Sequence, residues 1–146
     1  MSKGSHDIKS VTWIFPKEYA GGATPAVTKG PAINRLPFEE ARVALHHGVI
    51  EAGCQLDAKV QESPTETDGD FTDITGALFS QLDGGGGGLT GGIYEGRLNL
   101  QGRKKYLRVV TTVTGNGLKA AHSAEVVLME PKEKPVAPVN PLAFNL

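Results

Sequence analysis

Histidine, cysteine and clustered carboxylates are the side chains that could hold a metal ion or act as nucleophiles, and this chain has few of them. Its histidines are His6, His46, His47 and His122, and Cys54 is its only cysteine. On a strand His46 and His47 would point to opposite faces. On a helix they would stand about 100° apart with no third ligand at i+4, so neither setting gives a shared metal. The pair reads as one packed and one solvated imidazole. Asp68-Gly69-Asp70, followed by Asp73, has the opening of a calcium loop. That loop needs further oxygen ligands and a closing Glu, where this chain offers Thr72 and Ile74, so a β-turn is expected. The five glycines Gly84–Gly88 lead into Leu89-Thr90-Gly91 without the lysine or the helix of a phosphate-binding loop. Cys54 falls on the apolar phase of a strand pattern, as a small core residue rather than a nucleophile. No Gly-x-Ser-x-Gly elbow occurs and nothing singles out a carboxylate pair. Neither an enzyme nor a cofactor nor a metal ion is expected.

The elements that would carry these residues are strands. Cys54, Leu56, Ala58 and Val60 alternate with Gln55, Asp57, Lys59 and Gln61; Leu107, Val109, Thr111 and Val113 alternate through a β-branched run; Ala124, Val126 and Leu128 do the same. The residues 93–100 form a fourth candidate, with Tyr94, Leu98 and Leu100 in phase. Leu56, Val60, Leu107, Val109, Val126 and Leu128 are predicted to face the core. Asp68-Gly69 and Asn116-Gly117 read as hairpin turns, the second joining residues 105–114 to 122–129. Val11, Trp13 and Phe15 predict a strand near the N-terminus, and Pro16 to Pro37, with four prolines, reads as an irregular extended connection. Residues 38–45 suit a short helix and a strand equally by periodicity. The glycine run reads as a loop tip dispensable for folding.

Composition narrows the class of function. A net charge of −1 gives no field that would gather nucleic acid or anionic lipid, and the short basic run Arg103-Lys104-Lys105 reads as a guard beside a strand. No secretory leader or membrane-length apolar run is seen, so no membrane partner and a cytoplasmic site of synthesis are expected. Three regions follow: an N-terminal strand and extended arm over 1–37, a β-sandwich core over 38–130, and a proline-rich arm over 131–146. The last arm ends in Pro141, Leu142, Phe144 and Leu146, apolar residues on a proline-stiffened segment, and these are the candidate protein-interaction residues.

The order of motifs resembles a known group. Residues 56–63, Leu-Asp-Ala-Lys-Val-Gln-Glu-Ser, with 68–74, Asp-Gly-Asp-Phe-Thr-Asp-Ile, are similar to the LKLQESxDGxxWTDV pattern of small tailed-phage virion proteins of the head decoration or stabilising type. Residues 92–96 and 102–110 resemble their GxYxxGYxGxKRYLRVV segment, and residues 124–131 their AxVVLGxPR ending. The resemblance spans roughly 38–140. Phe71 stands where Trp is usual, and the glycine run is an insert. It implies an all-β fold, an antiparallel sandwich or jelly-roll-like, and tips residues 38–45 toward strand. It also implies a structural virion protein, assembled in the host cytoplasm. Its partners would be the major capsid protein and further copies of itself, as a trimer or dimer. The alternative is a carbohydrate- or cell-surface-binding sandwich that would use the Asp68–Ile74 turn and an exposed Trp13 or Tyr94 as a stacking platform.

Overall fold

The computed structural model describes residues 8–36 and 38–129, residues 8–13 as backbone only. Their order is β1 (Ile8–Ala20), β2 (Ala26–Lys29), β3 (Ile33–Asn34), β4 (Glu40–Ile50), β5 (Gln55–Ser63), a 3-10 turn at Asp68–Asp70, β6 (Thr72–Leu78), β7 (Leu82–Asp83), β8 (Gly92–Asn99), β9 (Tyr106–Thr114) and β10 (Lys119–Met129). Residues 38–45 are therefore strand, continuous with the rest of β4.

One sheet has the order β1-β10-β4-β8. The other has β2-β9-β5-β6, with β3 continuing β2 along β9 and β7 continuing β6 along β5. Every strand pairing is antiparallel. With β2/β3 and β6/β7 each taken as one line, the ten strands make eight lines. The first line lies beside the last, the second beside the seventh, the third beside the sixth and the fourth beside the fifth. That nesting is the jelly roll, a double Greek key wrapped into two facing sheets.

Alternation explains which residues fill the space between the sheets. The burial of β4 and β10 alternates residue by residue along most of their length. The six residues predicted to face the core, Leu56, Val60, Leu107, Val109, Val126 and Leu128, are all fully buried. They join Ile14, Val43, Leu45, Leu98 and Leu100 in one core cluster.

Three expectations are corrected. The turn at Asn116-Gly117 does not close a hairpin, because β9 and β10 belong to different sheets. Gly115 and Gly117, at φ 131° and 75°, instead carry the chain around the corner of the sandwich. The stretch from Pro16 to Pro37 is not irregular throughout. β1 runs on to Ala20 as an edge strand, where a proline is tolerated, and β2 and β3 line β9. The segment 1–37 thus contributes strands to both sheets.

The glycine run is not a free tip. The Gly84 amide donates to the Cys54 carbonyl at 2.8 Å, and the Gly53 amide donates to the Gly85 carbonyl at 2.7 Å. A Cβ at Gly84 would lie 2.2 Å from the Glu51 carbonyl oxygen, and one at Gly88 would lie 2.8 Å from that of Ile50. At Gly86 and Gly87 it would meet nothing within 4 Å. Gly84→Ala is therefore expected to cost roughly 1–3 kcal/mol, the range for forced overpacking. Gly86→Ala should stay within about 0.5 kcal/mol of the parent. Urea denaturation of the two variants checks this, and equal midpoints would refute it.

Candidate interaction surface

One end of the β1-β10-β4-β8 sheet holds His46, His47 and His122 together with the exposed Phe15, Val49, Ile93 and Tyr94. β10 places His122 opposite Lys17 of β1 and His47 of β4, and Ser123 opposite His46. A register shift between Ala120 and His122 puts Gly48 and Val49 into a bulge of β4. A shallow cleft opens here, lined among others by Pro16, Lys17, His46, Gly48 and Ser123.

The two histidines of adjacent number separate as alternation requires, His47 buried and His46 half-buried on the other face. His47 Nδ1–H donates to the Gly48 carbonyl at 2.9 Å, and the ring stacks on Tyr94 with centroids 5.8 Å apart. His122 points between the sheets. Its Nδ1–H donates to the Ala120 carbonyl at 3.0 Å, so its Nε2 accepts the hydroxyl of Thr111 on β9 at 2.9 Å. Tyr19 lies against it, ring centroids 4.4 Å apart. Burial holds the His122 pKa below the usual imidazole value, with a smaller push in the same direction from His47. This is a neutral imidazole pinning one sheet to the other. His122 shares the buried phase of Ala124, Val126 and Leu128, but its partner belongs to the opposite sheet and has no local signature.

Acid sensitivity follows from the sign of that shift. In the unfolded chain His122 binds a proton near the ordinary value of about 6.5, whereas the folded protein resists protonation below it. The contribution is therefore fully present above the unfolded value and is lost as pH falls beneath it. Asp68, Asp73 and Asp83 have lowered pKa values, caused first by the Lys29 contact, the Lys59 contact and the Gly85 amide respectively. Their contribution holds above the unfolded carboxylate range and is lost as pH falls through the folded values. Thermal melts should show stability declining in two stages, below about pH 6.5 and again below about pH 4. His122→Gln should abolish the first stage alone; a first stage that persists in that variant would reassign it.

Apolar side chains are exposed at this end. On the outer face Phe15 is 74% exposed, Ile93 64% and Val49 58%, while Tyr94, on the other phase of β8 and stacked on His47, is 43% exposed. Register places Phe15 and Ile93 at the two ends of one row across the sheet: Ile93 pairs with His46, which pairs with Ser123, which faces the bulge of β1 between Ile14 and Lys17. At the far end of the same face the residues are charged instead. Glu40 and Arg42 of β4 lie opposite Asn99 and Arg97 of β8, and Arg97 Nε sits 2.7 Å from Glu40 Oε1.

The aspartates of the Asp68 turn are spent internally. Asp68 accepts from Lys29 Nζ at 2.9 and 3.0 Å and from Arg108 Nη1. Asp70 accepts from Thr65, and Asp73 from Lys59 and Gln61. Three carboxylates with separate partners do not form a cation cage, and no group of metal ligands occurs among the described residues. Cys54 is buried, and burial pushes its thiol pKa up, away from a reactive thiolate. No helix among the described residues is long and apolar enough to cross a membrane. Pro141, Leu142, Phe144 and Leu146 lie outside the described residues, as do the side chain of Trp13 and the whole 131–146 arm. Sequence reasoning missed Phe15, Val49 and Ile93 as surface residues, because only the bulge and the edge position bring them out.

No family model and no curated protein matches the chain by sequence. Solved structures match its fold. The chain superposes on a structure of the Gx strain of infectious bursal disease virus with a TM-score of 0.61, at 9% identity over 87% of this chain and 33% of the other. The VP2 subviral particle of the same virus gives 0.57, at 9% identity over 87% and 33%. The Gt strain gives 0.56, at 10% identity over 90% and 34%. The chain spans about a third of the length of these proteins, and at such identity the likeness is one of fold.

Proposed function

We propose that the chain is a structural virion protein that binds a capsid shell as a decoration or stabilising protein, with the major capsid protein as its partner. The observation that supports this most is the jelly-roll fold, which superposes on structures of a virus and of a subviral particle. Jelly rolls also build lectin domains, so fold alone does not choose between the readings. The surface favours the first. The Asp68 turn, which a sugar-binding reading would use, has its carboxylate committed to Lys29 and Arg108. The exposed residues at the His47 end include Phe15, Val49 and Ile93, apolar groups suited to a protein contact.

The test is co-sedimentation of the full chain with empty shells of the virus that encodes it. The parent should pellet with the shells, and the Phe15→Ser/Ile93→Ser double variant should remain largely in the supernatant. Truncation after Glu130 should weaken binding as well if the 131–146 arm takes part. Retention of full binding by the double variant would exclude this face. Failure of the parent to bind, together with capture on a glycan array, would favour the carbohydrate reading.

A further inference from the structure

We propose that the chain pairs with a second copy of itself along the free edge of β8, about a two-fold axis at Gly96, joining the two β1-β10-β4-β8 sheets into one continuous sheet. The four sheet edges are not alike. The β1 edge contains Pro16 and two register shifts. The β2/β3 edge is broken into two short pieces, and the β6/β7 edge is broken and shifted against β5. Prolines, short lengths and irregularities of this kind are how sheet edges avoid pairing with other chains. β8 has none of them. It is eight residues long, matches β4 without a shift, and contains neither proline nor lysine. Among the described residues no strand pairs with its other side.

The order of side chains on β8 makes that edge complementary to itself. Ile93, Glu95, Arg97 and Asn99 share the outer face, in alternation with Tyr94, Gly96 and Leu98. Antiparallel pairing about Gly96 sets Glu95 opposite the partner's Arg97, and Arg97 opposite the partner's Glu95. It sets Ile93 opposite the partner's Asn99. Directly opposed residues have Cβ atoms about 4.5–5.5 Å apart, within reach of a Glu–Arg pair. An isologous two-fold forms that pair twice.

Within its own chain Arg97 is incompletely paired. Its Nε faces Glu40, but its Nη2 is buried without a hydrogen-bond partner. Buried donors are nearly always paired. The neighbour of Arg97 across the β4 pairing is Arg42, a like charge that offers no acceptor. Glu95, on the same face two residues away, makes no ion pair among the described residues. The partner's Glu95 would add a second carboxylate beside the exposed part of the Arg97 side chain, and Ile93 and Tyr94, both exposed in the single copy, would be covered in part.

Sedimentation velocity of the full chain over a range of concentrations reads this directly, without any shell, so it stands or falls apart from shell binding. The parent should be dimeric at micromolar concentration. Glu95→Arg breaks no ion pair among the described residues and sets arginines against each other across the axis. It should weaken dimerisation by roughly a hundredfold. Arg97→Glu should do the same, and an equimolar mixture of the two variants should recover a heterodimer, since each then faces its opposite charge. Ile93→Lys, which restores the usual lysine guard of an edge strand, should also weaken the dimer and does not touch the Glu40 ion pair. A parent that stays monomeric throughout, or a Glu95→Arg dimer as tight as the parent's, would overturn the proposal.

Discussion

Leu56→Ala should lower the stability of the domain by roughly 2–5 kcal/mol, while Leu78→Ala should change it by no more than about 0.5 kcal/mol. The two leucines lie on paired strands of one sheet and differ only in what the roll does with them. Leu56 is fully buried on β5, opposite Val113 of β9 on one side and Leu82 of β7 on the other. Truncation there removes apolar atoms from contact on both sides and leaves a cavity that the flanking strands cannot collapse without shifting register. Leu78 ends β6 at 58% exposure, so its side chain already has water as a neighbour. Urea denaturation of both variants gives the difference. A Leu56→Ala cost below about 1 kcal/mol would mean that the two sheets are not tightly packed at this point.

That contrast shows what alternation in a sequence conveys. Period two fixes the phase of a strand, and β5, β9 and β10 each present the predicted residues to the core, although β9 is buried on both faces from Leu107 to Thr111. Phase says nothing about partners. β9 and β10 are separated by a short turn with Asn116-Gly117, and locally nothing distinguishes a hairpin from a corner. The difference lies in β1 and β4, which flank β10 and leave no place beside it for β9. Pairing is a long-range property of the double Greek key, and only the resemblance carried any of it. The same holds for residues 38–45, whose helix and strand patterns are balanced by periodicity: the resemblance tipped them toward strand, and the pairing of β4 with both β8 and β10 is the physical reason.

The surface was less legible than the core. Phe15 follows Ile14, the buried residue, because register shifts in β1 reset the alternation on either side of it. A bulge has no fixed sequence signature, so the exposure of Phe15 and Val49 could not be read in advance. The glycine run was misread for a related reason. Glycine marks chain freedom in isolation, but at Gly84 and Gly88 it marks close approach to the carbonyls of Glu51 and Ile50. Asp68, in the turn after β5, is likewise engaged by residues 39 and 40 positions away along the chain, which no local pattern shows.

Arg108 carries the other large effect. A charged residue in the middle of β9 would ordinarily mark the solvated face, yet its side chain is only 7% exposed. Its Nε donates to Gln61 Oε1 at 2.8 Å, Nη1 donates to Asp68, and the guanidinium lies 4.0 Å above the centre of the Phe71 ring. It therefore fastens the 3-10 turn to β9 and β5, while Lys29 holds the same aspartate from β2. Arg108→Ala removes charge-assisted hydrogen bonds, a cation–π contact and the packing of the aliphatic stem together. The expected loss is roughly 2–4 kcal/mol. Arg108→Met, which keeps the stem over Phe71, should recover part of it. Because the arginine is shielded while Asp68 is 63% exposed, the pair is unequal. Asp68→Asn should cost less than Arg108→Ala, since Lys29 and the aspartate stand partly in water, whereas the arginine's place beneath the turn would be left empty. Chemical denaturation at neutral pH ranks the three variants. If Arg108→Met proves as damaging as Arg108→Ala, the hydrogen bonds rather than the packing hold the turn; if Arg108→Ala is neutral, the turn is held by its own backbone and the arginine is a passenger.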